Sequence, residues 1–337
     1  MTVSATAADP RPLRLAVYGA GRWGQVLMRN IVAFPDLELA AVISSKPDLS
    51  DAMTLGAPVF DDWRIANSRM KLDGIVLALP PDRQPEIAEE IIKSGLPLFL
   101  EKPLALNNDA ALSLVKVADA SGFVGLVDHL HLLTPEFQEL TRQVRHRGTV
   151  GAIKAISGNR GPARESWPVL WDWAPHDVAM ALTVIEAAPV SVSAAIVERA
   201  SDGIQELENV RLILTFADGA VADIITGNAF DERCREFVVF IDDTTLSYVE
   251  SPDNERSLVV GSGDEAQTVC VDSIPPLTAA LGEFADRIRR GCSGKEDLGL
   301  GSAVVRVLWA AEESMRQGIE ISIEAVDYRA TSGAMEC

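Results

Sequence analysis

Six residues, Gly19-Ala20-Gly21-Arg22-Trp23-Gly24, stand between an apolar run that predicts a strand, Leu13 to Tyr18, and a segment with apolar residues at helical spacing, Val26, Leu27, Ile31 and Phe34. No other feature constrains the fold as strongly. The first glycine permits a tight turn out of the strand, the second lets backbone approach a pyrophosphate, and the third lets the helix pack close to the strand. The N–H groups opening that helix face the phosphates, helped by the positive end of the helix dipole. A glycine-rich turn alone is common and can be merely structural. Here the strand before it and the helical period after it predict a dinucleotide-binding unit.

From Arg14 to about Val127, β-type and helical runs alternate. Strands are predicted at Leu13–Tyr18, Leu37–Ile43, Gly74–Ala78, Leu96–Leu100 and Val124–Val127, and helices at Gln84–Ser94 and Ala110–Ala120. Such alternation predicts a parallel sheet with helices on both faces. After about Gly148 the period becomes two: Val190, Val192, Ala194, Ile196; Val210, Leu212, Leu214, Phe216; then Phe237, Val239, Ile241. Asp218-Gly219 signals a hairpin between two of these strands. The expectation is an α/β chain whose second half is a large open, mostly antiparallel sheet with helices on one side. Leu277, Leu281, Phe284 and Ile288 predict a late helix, as do Val304, Val305, Leu308 and Met315, with Gly291 and Gly318 as stops.

The chain has 337 residues, enough for two domains: 1–128 with a flexible arm at 1–11, and 129–337. A formal net charge of −19 argues against nucleic acid or anionic membrane as partner. No apolar stretch approaches the roughly 20 residues that span a bilayer, and no secretory signal opens the chain, so a soluble, cytoplasmic protein is expected. Cys234, Cys270, Cys292 and Cys337 show no paired spacing and are expected as reduced thiols. Four histidines leave little material for a metal centre, and none is expected.

Several segments together resemble the Gfo/Idh/MocA family of oxidoreductases, related to glucose–fructose oxidoreductase and inositol dehydrogenase. They are the glycine turn, Leu79-Pro80-Pro81, Glu101-Lys102-Pro103, Gly148-Thr149-Val150-Gly151 and Trp171-Asp172-Trp173-Ala174-Pro175-His176-Asp177. The glycine turn, Arg29-Asn30 and the last run look most like members acting on nucleotide-linked sugars in bacterial polysaccharide pathways. Pro168 stands where those members tend to carry Asn, which leaves the sugar open. The resemblance spans Leu13 to about Ile323. It implies a Rossmann domain followed by an α/β substrate-binding and oligomerisation domain, a nicotinamide cofactor and a sugar-type substrate. It also implies that Gly19, Gly21, Arg22, Trp23, Gly24, Leu79, Pro80, Pro81, Glu101 and Lys102 bind the cofactor.

Lys102 follows a parallel strand, at the edge where ligands sit in such sheets. The alternative is a surface lysine paired with Glu101. His176 is the candidate general acid/base, because imidazole titrates near working pH. Asp172 precedes it by four residues and shares a helix face with it if both are helical. Pro175 favours a first helical turn, which would place Asp172 at or before the cap; the bland alternative is a helix-start histidine capped by Asp172. With the family pattern, Lys102, His176 and Asp172 are the catalytic candidates. Asp128 and His129 close a strand and would face the cleft; a substrate contact by His129 and a structural hydrogen bond are equally compatible. His131 and His146 are assigned to structure. Asn159, Arg160, Arg164, Trp167 and Trp171 offer forked donors and ring faces suited to a nucleotide sugar, although a packed loop explains them too. Arg160 and Trp171 are the substrate-binding candidates there.

The predicted second strand ends Ile43-Ser44-Ser45-Lys46, without the carboxylate that usually holds the ribose 2′-hydroxyl of NAD. Ser44, Ser45 and Lys46 suit a 2′-phosphate, which favours NADP; Asp48 leaves NAD open. The expected activity is hydride transfer between a nicotinamide cofactor and a sugar or nucleotide-sugar carbinol or ketone. The alternative is a non-catalytic regulatory protein that senses dinucleotide or sugar on the same fold. Alternating apolar residues on an open sheet face need cover, which predicts a homodimer or homotetramer.

Overall fold

The computed structural model describes residues 11–45, 55–161, 167–201, 203 and 205–324; Lys46, Asp48 and Arg164 lie outside the described residues. The first sheet contains β1 (Leu13–Tyr18), β2 (Leu37–Ile43), β3 (Val59–Phe60), β4 (Gly74–Leu77), β5 (Leu98–Leu100) and β6 (Gly125–Val127). Their order is β3-β2-β1-β4-β5-β6, and every pairing is parallel. β1 lies between β2 and β4, so the chain's winding reverses there, and a crevice opens beyond the carboxyl ends of these two strands.

Both faces of this sheet are covered, which is why its strands read as continuous apolar runs. Leu15, Val17, Val76 and Phe99 pack on α1 (Arg22–Ala33) and on α7 (Pro276–Arg290). Ala16, Ile75, Leu77 and Leu98 face the opposite way, onto α2 (Trp63–Met70), α3 (Gln84–Ser94) and α4 (Asn108–Ser121). Although α7 comes after most of the second sheet in sequence, it returns to the first: Phe284 meets Phe99 edge-on at 5.7 Å. The predicted elements of this half are present within two residues at each end. β3 and α2 escaped the sequence reading, because a two-residue strand has no period to detect.

The second sheet comprises β7 (Val150–Arg160), β8 (Ser191–Ser201), β9 (Glu206–Thr215), β10 (Val221–Gly227), β11 (Ala229–Ile241), β12 (Thr244–Glu250), β13 (Arg256–Val260), β14 (Gln267–Val269) and β15 (Ile321–Ser322). The order is β14-β13-β12-β11-β7-β10-β9-β8-β15. Only β7 and β10 run parallel; all other neighbours are antiparallel. Asp218-Gly219 joins β9 to β10, as the hairpin signal predicts. Leu212, Leu214, Ile224, Phe237 and Val239 face the helices, among them α6 (Val169–Ile185) and α8 (Lys295–Gln317). The other face is open: Ile156 is 41% exposed, and Arg211 and Asp223 pair across it at 2.7 Å. Gly291 and Gly318 end α7 and α8 in left-handed conformation, as expected.

Two expectations need correction. Pro175 does not open a helix: α6 begins at Val169 and runs through it, so Asp172 lies inside the first turn rather than at or before the cap. Packing along a long buried helix outweighs the positional preference of one proline. Cys234 and Cys270 are free thiols, but Cys292 is disulfide-bonded, because spacing along the chain does not report which segments meet in space. Among the described residues, no helix is long and apolar enough to cross a membrane.

Candidate active site

The carboxyl ends of β1, β4, β5 and β6 form one edge, and a cavity of about 430 Å³ lies against it. The glycine turn leaves β1 toward this cavity. Gly19 has φ +109°, and a Cβ there would sit 2.3 Å from Ala78 O; a Cβ on Gly24 would sit 1.9 Å from Gly19 O. Both are therefore glycines for the protein's own packing. Gly21 differs: its φ of −69° suits any residue, and a Cβ there meets no atom within 4 Å. The space it leaves open belongs to the cavity it lines. α1 starts immediately after it without a side-chain cap, and its first helical hydrogen bond runs from Gln25 N to Gly21 O at 3.0 Å. The N–H groups of that first turn have no partner within the helix. An open cradle facing unpaired donors fits the pyrophosphate of a dinucleotide.

Arg22, Trp23, Leu79, Pro80, Pro81, Glu101 and Lys102 line the same cavity. The indole Nε1–H of Trp23 donates to Glu101 and so ties α1 to the end of β5. Gln84 Nε2 donates to Glu101 O at 2.6 Å and holds that turn from below. Gly19 lies behind the lining, and Ser44 and Ser45 stand at the end of β2 outside it.

α6 forms the facing wall. Asp172 and His176 both line the cavity, four residues apart on one helical face. Lys102 reaches across from β5: its Nζ donates to Asp172 O at 2.7 Å and lies 3.9 Å from Asp172 Oδ1. The ammonium, from the end of β5, and the imidazole, from α6, thus meet in one cavity. Burial, then the charge of Lys102, holds His176 well below the usual imidazole range, so it is neutral at pH 7. Its Nδ1 is buried and has no hydrogen-bond partner among the described residues. His131 packs edge-on to it at 5.1 Å and contacts the Tyr248 hydroxyl through Nδ1 at 3.2 Å.

Three substrate-side expectations fare differently. His129 is buried with neither ring nitrogen partnered among the described residues and lies behind the lining rather than in it, while the buried His131, expected as structural, lines the cavity. Trp171 is 2% exposed and packs into the core; its neighbours Trp167 and Trp173 line the cavity instead. Arg160 pairs with Asp231 at 3.3 Å away from the lining. On the substrate side the arginines lining the cavity are Arg233 and Arg235 of β11, held by Glu250 of β12 and, for Arg235, by Asp177. They escaped notice because they sit on strands far along the chain. The available signal was parity: Arg235 shares the inward face of Phe237 and Val239, and Glu250 that of Leu246 and Tyr248.

Residues 13–129 match the family model described as the oxidoreductase family with NAD-binding Rossmann fold, and residues 140–247 match the C-terminal domain of the same family. Inositol 2-dehydrogenase of Rhizobium meliloti is 24% identical over 63% of this chain and 68% of its own length. UDP-N-acetylglucosamine 3-dehydrogenase of Acidithiobacillus ferrooxidans is 24% identical over 52% of this chain and 55% of its own. A solved structure of that enzyme covers 91% of this chain and 98% of its own with TM-score 0.78, at 21% identity. A solved structure from Magnetospirillum magnetotacticum is 33% identical, covers 89% of this chain and 99% of its own, and has TM-score 0.76. With both domain models matched in order and a dinucleotide-type cradle at the turn after β1, the chain belongs to the Gfo/Idh/MocA family of oxidoreductases.

Proposed function

We propose that the protein is an NAD(P)-dependent dehydrogenase that oxidises a carbinol of a sugar or nucleotide sugar, or reduces the corresponding ketone. The observation that carries this is the convergence of Lys102 and His176 on one cavity beside the glycine turn. When bound, a nicotinamide supplies the two-electron hydride acceptor or donor. As the carbinol C–H pair departs as hydride, its O–H proton passes to His176. Nδ1 is buried, so Nε2 is the nitrogen that exchanges the proton. A neutral imidazole is the form that oxidation requires at the outset. Lys102, steadied by Asp172, hydrogen-bonds the same oxygen and stabilises the charge developing on it. Trp167 and Trp173 offer ring faces to a sugar, and Arg233 offers a partly exposed guanidinium.

The first domain, 1–128, provides the cofactor half in this account, and the second, 129–337, the substrate half. Ser44 and Ser45 favour NADP over NAD. The open face of the second sheet, with Ile156 and Val197 exposed, favours a homodimer or homotetramer packed sheet to sheet. Ligands that prefer the native state raise the melting temperature. NADP and NAD should each raise it, NADP more, and sugars or nucleotide sugars should add to the rise. A melting temperature unmoved by either cofactor would refute the proposal.

A further inference from the structure

Asp128 is a cavity residue to which the proposed chemistry gives no task. It follows β6, whose Val127 lies opposite Leu100 of β5, and its N–H donates to Leu100 O at 2.7 Å. That register sets its carboxyl beside the carboxyl of Glu101. Asp128 is 1% exposed yet lines the cavity, and neither of its oxygens receives a hydrogen bond from the described residues. Glu101, in contrast, accepts the Trp23 indole. Two buried carboxylates side by side repel, and the hydrogen bond between them exists only when one carries a proton. Burial, then the neighbouring Glu101 carboxylate, pushes Asp128 well above the usual range. Burial also raises Glu101, opposed by the indole and by Lys102.

Other charges around the pair are already engaged. Lys102, the cation acting on Asp128, donates to Asp172 O. His176 on α6 and His131 on the segment after β6 are neutral. Arg233 and Arg235 on the far wall are paired with Glu250, and Arg22 opens α1 across the cavity. The carboxyl pair is therefore the group in this wall that can gain one negative charge by losing one proton.

We propose that Glu101 and Asp128 hold a single proton in the free protein, carried by Asp128, and that this pair is the counter-charge by which the site distinguishes oxidised from reduced nicotinamide. The inference rests on the dehydrogenase reading above. When the cationic, oxidised form binds, the Asp128 O–H bond breaks, its proton goes to solvent, and the carboxylate left behind offsets the ring's positive charge one for one. The neutral, reduced form leaves the proton in place. Asp128 acts here as a positioning residue for charge; it exchanges no atoms with substrate.

The test is isothermal titration of the purified full chain with oxidised and with reduced cofactor, in buffers of different ionisation enthalpy, which counts protons released. The wild type should release more protons with the oxidised form, and its preference for that form should rise with pH by up to about tenfold per pH unit. Asp128→Asn retains a neutral donor to Glu101 and should abolish both effects. Glu101→Gln, which still accepts the Trp23 indole and gives Asp128 a donor, should abolish them too and serves if the first variant fails to fold. His176 is neutral beforehand and so has no proton to release when the oxidised form binds; His176→Asn should leave the release intact. Equal proton counts for the two cofactor forms in the wild type, or a difference that survives in these variants, overturns the inference alone. Absence of saturable binding by either cofactor form overturns the dehydrogenase reading and the inference together.

Discussion

Replacing each glycine of the turn by alanine separates packing from ligand accommodation. In Gly24→Ala the new methyl would lie 1.9 Å from Gly19 O and 2.9 Å from Gly19 C, so backbone must move. Overpacking of this kind costs about 1–3 kcal/mol of stability or more. In Gly21→Ala the methyl meets nothing within 4 Å and the backbone angles suit alanine. Losing glycine at an N-cap costs on the order of 0.5–1 kcal/mol, and restricting the unfolded chain returns a similar amount, so stability should barely change. The methyl instead fills the cradle, and a ligand seated there meets the misfit. A misfit of about 1–3 kcal/mol corresponds to cofactor binding weakened by roughly 5- to 150-fold. Denaturant unfolding and titration of reduced-cofactor fluorescence measure the two effects. The reasoning fails if Gly21→Ala binds cofactor like the wild type, or if it destabilises the fold as much as Gly24→Ala.

Other substitutions test other parts of the account. His176→Asn should lower turnover by roughly 100-fold or more while cofactor affinity is retained, because general acid–base catalysis alone contributes about that much; unchanged turnover would remove His176 from the mechanism. Burial, then the charge of Lys102, pushes His129 down to about 3 from an ordinary 6.5. The unfolded chain therefore binds a proton that the folded chain refuses as pH falls between these values. His129→Leu should make the acid loss of stability shallower by about 1.4 kcal/mol per pH unit in that window, and denaturant melts from pH 6.5 downward check this. Asp177→Ala strands the buried Arg235 guanidinium and should cost about 3–5 kcal/mol of stability; a change under about 1 kcal/mol would show that Glu250 suffices for Arg235.

The cofactor half was legible because its signals are local. Strand, glycine turn and helix follow one another within about twenty residues, and Leu79-Pro80-Pro81 and Glu101-Lys102 sit directly after strands, where parallel topology fixes their edge. Across the substrate wall, locality fails. Arg233 and Glu250 reach the cavity from β11 and β12, and alternation reports which face of a strand a side chain occupies but not which end lies near a cleft. Arg235 was readable as a charge of inward parity in an apolar strand. The tryptophans around α6 were separated only by helical phase: with the helix running through Pro175, Trp173 falls toward the cavity and Trp171 into the core. Reading Pro175 as a helix start hid that phase.

The most direct test follows the absorbance of the reduced nicotinamide while purified protein is mixed with each oxidised cofactor and a panel of sugars and nucleotide sugars. The account predicts steady reduction with at least one member of the panel, abolished in His176→Asn. Cofactor and sugar that bind while neither is converted would contradict it and favour a sensor on this fold; product formed with no net change in cofactor would replace simple dehydrogenation by internal recycling.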